Sequence, residues 1–252
     1  MPEVEWINLK AADIRSLRDK DTIAIIPIGS IEQHGPHLPV QVDALLAGEV
    51  ARRTARLVVE HASIVVLPTI WSGLAEHHMS LGGTLTLDLR TFQDLVRGIV
   101  RAVIRNGFRK ILLLNGHGGN MTALNALVAD LTTETSVPIA LATYWIPAQK
   151  AFAEILDEQP SVAHACEAET SMLLALRPDL VDMARLDHID PPREWAGRSD
   201  IYVWQPVAEW SPSGVAGTPK AASAEKGERL LDAAAQALAT RLRDSAIWKH
   251  GN

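Results

Sequence analysis

The sequence predicts an α/β protein built on a mainly parallel sheet with helices on both faces. Three observations carry this. Short aliphatic runs alternate with longer amphipathic stretches, each run is bounded by turn residues, and two histidine-bearing motifs fall where two of the runs end. Such alternation implies right-handed strand–helix–strand crossovers, because the twist of L-residue strands returns the connection one way. Binding sites in these sheets form beyond the carboxyl ends of the strands.

In chain order, a short helix is expected over 13–20, followed by a buried strand over 22–28 (TIAIIPI). Residues 44–61 set Leu45, Val50, Leu57 and Val58 among Arg and Glu, an amphipathic helix. A second strand follows over 64–68 (IVVLP). Residues 69–88 have no clear period, and their glycines and paired His77 and His78 suit a loop over a site. Phe92, Leu95, Val96, Ile99, Val100, Val103 and Ile104 repeat at helical spacing within 91–106. The third strand, 110–114 (KILLL), runs into NGHGGN, and a helix from Met121 places Leu124, Leu127, Val128 and Leu131 on one face. The fourth strand is 139–144 (IALATY). A helix is expected over 164–176 (HACEAETSMLLAL), stopping before Pro178, and another over 224–248. Between them, 187–220 is rich in Pro, Gly and Trp. It is expected to be an irregular covering or interface segment, because Trp195, Trp204 and Trp210 need burial.

Composition bounds the function. At 252 residues the whole chain, 1–252, suits one domain, and 47% hydrophobic with 21% charged residues argues against disorder. A net charge of −6 with no Lys/Arg cluster predicts no nucleic acid partner. The single cysteine, Cys166, excludes an intramolecular disulfide and is compatible with a reducing compartment. The amino terminus lacks the order of a secretory signal and no apolar run spans a bilayer, so a cytoplasmic protein without a membrane partner is expected.

The chemistry concentrates in 29–43, GSIEQHGPHLPVQVD. In an extended segment alternate side chains share a face, so Glu32 and His34 can point at one centre. Asp43 returns through a turn made by Gly35, Pro36 and Pro39, and a carboxylate can bridge two cations. His117 adds an imidazole from a neighbouring strand end. Gly116, Gly118 and Gly119 around it permit close approach and leave amides to hold an oxyanion. On a helix starting at His164, Glu167 shares that histidine's face and reaches the same cleft. Glu169 would point elsewhere, capping the helix or holding a ligand from behind. Mixed His and carboxylate donors suit Zn, Mn or Fe better than Ca or Mg. The plainer readings are a polar loop network without an ion, a Glu167 that favours the helix dipole, a His164 that caps the helix, and a Cys166 buried as a small apolar group. His37 either orients the loop or touches a ligand, and His77 and His78 either bind substrate or form a solvated turn.

Taken together, GSIEQHGPHLP with Asp43, NGHGGN, the YW of Tyr144 and Trp145, HACEAETS and GVAGTPKAASAEKG resemble the creatininase (creatinine amidohydrolase) family across nearly the whole chain. The resemblance implies a three-layer α/β/α fold, a dinuclear metal centre of zinc, with manganese or iron as alternatives, and a homo-oligomer, commonly a hexamer. It places Glu32, Asp43 and His117 on one metal and His34 with the bridging Asp43 on the other. It makes His164 the acid–base histidine and matches Trp145 to a substrate-gating tryptophan, where the plainer reading is a core residue; from the residues themselves, His78, Gly118 and Gly119 are also expected to contact substrate. Creatininase takes a further carboxylate from a glutamate two residues after the NGH-type histidine, where this chain has Gly119. Glu167 is expected to replace it from the other wall.

These readings converge on a metal-dependent hydrolase that cleaves a C–N amide bond of a small molecule, a cyclic amide, lactam or formamide, with a metal-bridging hydroxide. The alternatives are a peptidase-like maturation enzyme of the same family and a non-catalytic metal-binding subunit.

Overall fold

The structure, a computed structural model, describes residues 2–187, 189–190, 192–193 and 201–248. Its centre is a parallel sheet of β1 (Ile23–Ile28), β2 (Ile64–Val66), β3 (Lys110–Asn115) and β4 (Ile139–Thr143) in the order β2-β1-β3-β4. In register, Ile25 pairs with Val66 on one side and Leu112 on the other, and Leu113 pairs with Leu141.

The helices are α1 (Ala11–Arg18), α2 (Val42–Val58), α3 (Leu89–Arg105), α4 (Met121–Thr135), α5 (Gln149–Ile155), α6 (Glu167–Leu176), α7 (Val207–Trp210) and α8 (Ala224–Leu242). Strand alternation divides them into two layers. Ile23, Ile25, Leu112 and Leu114 pack with Leu46 and Val50 of α2, Phe152 of α5, Met172 of α6 and Leu230 of α8. Ala24, Ile26, Ile28, Ile111 and Leu113 face Phe92, Val96 and Val100 of α3 and Leu124 and Leu127 of α4. The expected fold class, helices on both faces of a parallel sheet, is therefore the observed one.

The connectivity makes a crevice. β1 leads through α2 to β2 on one side, whereas β3 leads through α4 to β4 on the other, so the chain parts between the ends of β1 and β3. Open α/β sheets bind ligands at such a switch point. Two glycines let the start of α2 settle into it. A Cβ on Gly29 would lie 2.4 Å from the backbone of Ala44, and one on Gly116 would lie 2.7 Å from the Asp43 carbonyl. These close approaches hold Asp43 over the ends of both strands.

Three sequence expectations change. The helix read from His164 begins at Glu167, because Ala165 adopts a left-handed backbone (φ 51°) and Cys166 is the extended cap. His164 instead bridges Ala216, whose amide donates to the His164 carbonyl at 2.8 Å. The last helix ends at Leu242, with a separate 3-10 turn at Ser245–Trp248. Within 187–220, the described residues include α7 and a 3-10 turn at Pro219–Ala221, and Trp204 is 53% exposed instead of buried, while Trp210 is half-buried. Trp195 lies outside the described residues.

Candidate metal centre

Glu32 and His34 leave the end of β1, Asp43 sits in the first turn of α2 and His117 follows β3. All four side chains are buried. One Asp43 oxygen lies 3.2 Å from His34 Nε2 and the other 2.9 Å from His117 Nδ1. His117 Nδ1 also lies 3.1 Å from Glu32. The ligand-type atoms form three groups, each within 4.8 Å: Glu32, Asp43 and His117; His34, Asp43 and Glu169; and Glu32, His34 and His164. Asp43 belongs to the first two and so stands between them.

The imidazoles are turned with their donor atoms inward. His34 Nδ1 donates to the Glu32 carbonyl at 3.1 Å, which directs Nε2 to the cluster. His117 Nε2 donates to the Leu74 carbonyl at 3.1 Å, which directs Nδ1 there. Asn115 and Asn120 fix the turn beneath. Asn115 donates to the His117 carbonyl and accepts from its amide, while Asn120 accepts from the Leu74 amide and donates to the Gly29 carbonyl.

Both Glu32 carboxylate oxygens, Asp43 Oδ2 and His34 Nε2 are buried, and among the described residues they meet ion-pair partners but no hydrogen bond of good geometry. Buried carboxylates so poorly hydrogen-bonded are costly, and a cation resolves the cost. The donor set, carboxylates with inward-facing imidazoles, fits a divalent transition metal. The electrostatics agree. Burial opposes the charge on His34, but Asp43 and Glu169 outweigh it and hold its pKa well above the usual value. Burial likewise opposes the charge on His117, which Glu32 and Asp43 restore. Asp43 is depressed despite burial by His34 and His117, and Glu32 is raised by burial and by Asp43.

Glu167 does not join this cluster. Its carboxylate accepts from the amides of Asp157 and Glu158, each at 3.1 Å, and pairs with Lys226 at 2.5 Å. The carboxylate that arrives is Glu169, 3.8 Å from His34 Nε2. Its other oxygen accepts from the Cys166 amide at 3.4 Å, so the capping role expected for it is also present. On α6, which starts at Glu167, the third residue faces the cluster while the first faces the 157–158 turn. The glutamate-x-glutamate spacing held this signal, but only the helix start decides between the two. Gly119 explains why the carboxylate comes from α6. A Cβ there would lie 2.4 Å from both His117 Nε2 and the Leu74 carbonyl, so no longer side chain fits this turn.

His164 Nδ1 lies 3.5 Å from Glu32, and its ring packs 4.3 Å from His34 and 4.2 Å from His78. Burial, with His34 and His78 beside it, holds its pKa well below the usual value, so it is neutral. His78 is buried with Nε2 3.2 Å from Glu32, and burial with His77 lowers it to about 2. His77 stacks on His117 at 5.8 Å. His37 ties its loop to α6 by contact with Thr170 at 2.9 Å. Cys166 is a buried thiol pushed up to about 12 by burial and Glu169, which disfavours a nucleophilic role. Above the cluster opens a cavity of about 860 Å³, lined among others by His78, Gly118, Gly119, Trp145, Tyr202 and Trp204. The sequence reading missed Gln33, which touches both His78 and His164.

The chain is similar to proteins of known activity. The chain is 31% identical over 241 residues to the creatinine amidohydrolase of Pseudomonas putida, covering 89% of this chain and 90% of that protein. It is also 31% identical to the mycofactocin precursor peptide peptidase of Mycolicibacterium smegmatis, over 94% of this chain and 90% of the relative. Solved creatininase structures in a manganese form and, for a variant, a zinc–zinc form each superpose with a TM-score of 0.80 at 27% identity, covering 97% of this chain and 99% of theirs. The creatininase (creatinine amidohydrolase) family profile matches residues 8–242. With a match over nearly its whole length and the fold to accompany it, this chain belongs to the creatininase family.

Proposed function

We propose that this creatininase-family hydrolase is metal-dependent and cleaves a C–N amide bond in a small molecule, a cyclic amide, lactam or formamide. The observation that carries the reading is the pair of donor triads sharing Asp43 on the floor of the 860 Å³ cavity. Glu32, Asp43 and His117 would hold one divalent ion, and His34, Asp43 and Glu169 a second. Zinc is the first choice, with manganese or iron as alternatives. Such ions polarise a carbonyl and make water a competent nucleophile near neutral pH.

The chain's own groups divide the remaining work. His164, neutral and facing Glu32, takes a proton from the attacking water and returns it to the departing nitrogen. The amides around Gly118 and Gly119 steady the oxyanion. Trp145, half-buried at the cavity wall, packs against the substrate's apolar face. A non-catalytic subunit would need no such base. The decisive experiment strips the protein with a chelator, reloads it with zinc or manganese, and assays cyclic amides, formamides and short peptides. Reloading restores turnover of a small amide, and His164→Ala lowers kcat by about 10²–10⁴-fold with metal content intact. A loaded protein that hydrolyses nothing in the panel, with His164→Ala indistinguishable from it, sinks the reading.

A second reading has its own support. The cavity exceeds the volume of a small cyclic amide, and the peptidase relative aligns over 94% of this chain. Turnover of short peptides alone in the same panel selects it.

Metal uptake has a pH signature. In the metal-free protein, Asp43 beside both histidines, with Glu169 at His34 and Glu32 at His117, raises their pKa, so metal must displace bound protons. Zinc affinity is expected to rise with pH until both histidines are deprotonated, with protons released on binding. Calorimetry in buffers of different ionisation enthalpy measures this, and uptake without proton release contradicts it.

We further propose that the chain, 1–252, works in the cytoplasm as one catalytic unit within a homo-oligomer, a hexamer by family resemblance. No described helix is long and apolar enough to cross a membrane. Exposed Tyr202, Val203 and Trp204 beside the cavity offer a contact surface. Light scattering at the mass of a single chain would contradict the oligomer.

A further inference from the structure

Gln33 lies between two proposed ligands in sequence, yet its side chain belongs to a separate, buried network. Chemistry settles which way its amide points. The Gly35 N–H can only donate, and it lies 2.9 Å from Oε1, so that end is the acceptor. The Nε2 end therefore carries two hydrogens and no lone pair. It lies 2.7 Å from His78 Nδ1, 3.0 Å from His164 Nε2 and 3.3 Å from the Gly214 carbonyl.

Two hydrogens face three neighbours, and the backbone chooses among them. His164 Nε2 lies 2.8 Å from the carbonyl of Gln33 itself. A carbonyl only accepts, so this nitrogen holds a proton and cannot take one from the amide. The amide hydrogens go to His78 Nδ1 and the Gly214 carbonyl. Hence His78 carries its proton on Nε2, the atom 3.2 Å from Glu32 Oε1. His164 meets the same oxygen with Nδ1, its lone pair, at 3.5 Å.

We propose that Gln33 is a positioning residue that holds both imidazoles in the Nε2-protonated neutral tautomer, so that His78 turns its N–H toward Glu32 and His164 turns its bare Nδ1 toward the cluster. His78 is thereby barred from ligating through Nε2 and keeps a hydrogen bond donor in the cavity. His164 is kept ready to receive a proton, a consequence that rests on the hydrolase reading; the tautomers themselves do not. The fold makes room for this device with two left-handed glycines. At Gly214 (φ 74°) a Cβ would lie 1.9 Å from Gln33 Oε1, and Gly35 (φ 66°) turns its amide onto that oxygen.

The test uses full-length, zinc-loaded protein with nitrogen-15 histidine, reading the protonation of each ring nitrogen by long-range proton–nitrogen correlation. In the unaltered protein His78 shows a bare Nδ1 and a protonated Nε2. In Gln33→Glu the side chain only accepts toward the rings, so His78 Nδ1 becomes protonated while zinc per chain stays unchanged. Gln33→Leu removes the constraint without adding a charge, and His78 shows a mixture of tautomers; this variant decides the matter if Gln33→Glu does not fold. A protonated Nδ1 in the unaltered protein, or the same His78 tautomer in the folded variants, overturns the assignment. These readouts need no substrate. A protein that hydrolyses no amide yet shows the tautomer switch fails only the hydrolase reading, and an active enzyme without the switch fails only this one.

Discussion

Asp43→Asn is expected to cost the protein both of the proposed metal ions and its hydrolytic activity. Asp43 faces His34 with one oxygen and His117 with the other, and is the residue shared by the two proposed ligand triads. An asparagine offers one neutral carbonyl oxygen and a donor-only NH₂, so it cannot bridge two cations. The loss of metal removes several kcal/mol of transition-state stabilisation, a fall of about 10³-fold or more. Zinc per chain by elemental analysis should drop to background. If Asp43→Asn keeps two ions, the triads do not share this carboxylate. Because Gly29 and Gly116 admit α2 without regard to the Asp43 side chain, the helix should stay seated and circular dichroism should change little.

Glu169→Gln and Glu167→Gln are expected to separate two functions that lie two residues apart. Glu169→Gln removes a donor from the triad with His34 and Asp43. Zinc should fall by about one ion per chain, and activity by at least about 10²-fold. Glu167→Gln should keep its metal. Glu167 instead joins α6 to the Asp157–Glu158 turn and to α8 through Lys226, and weakening that buried network should cost about 2 kcal/mol of stability. Metal stoichiometry and denaturant unfolding of the two variants form the measurement. A full metal complement in Glu169→Gln, with metal lost in Glu167→Gln, would reverse the assignment.

That contrast shows where sequence reading stops. The strands and α2, α3 and α4 are legible because burial on both sheet faces enforces local periodicity, and strand ends place Glu32, His34 and His117 without further information. The start of α6 is not legible. It depends on the left-handed Ala165 and on the tie between His164 and Ala216, fifty-two residues later, which no local pattern reveals. With the helix starting at Glu167, His164 is no longer on it, so helical spacing does not tie Glu167 to His164's face; Glu169, about 200° around the helix from Glu167, faces the site instead. Gln33 was missed for a different reason. Its contacts come from His78, His164 and Gly214, brought together only by the completed fold.

The origin of Glu169 also sets an order of assembly. One triad lies within residues 32–117 and is available once β1 and β3 have paired, whereas the other waits until α6 docks. During synthesis the first ion therefore has a place well before the second. A second ion held there would tie an early segment to a late one, and would stabilise the folded chain because only the folded chain brings its ligands together. Nascent chains released before residue 169 would have a place for one ion and none for its neighbour.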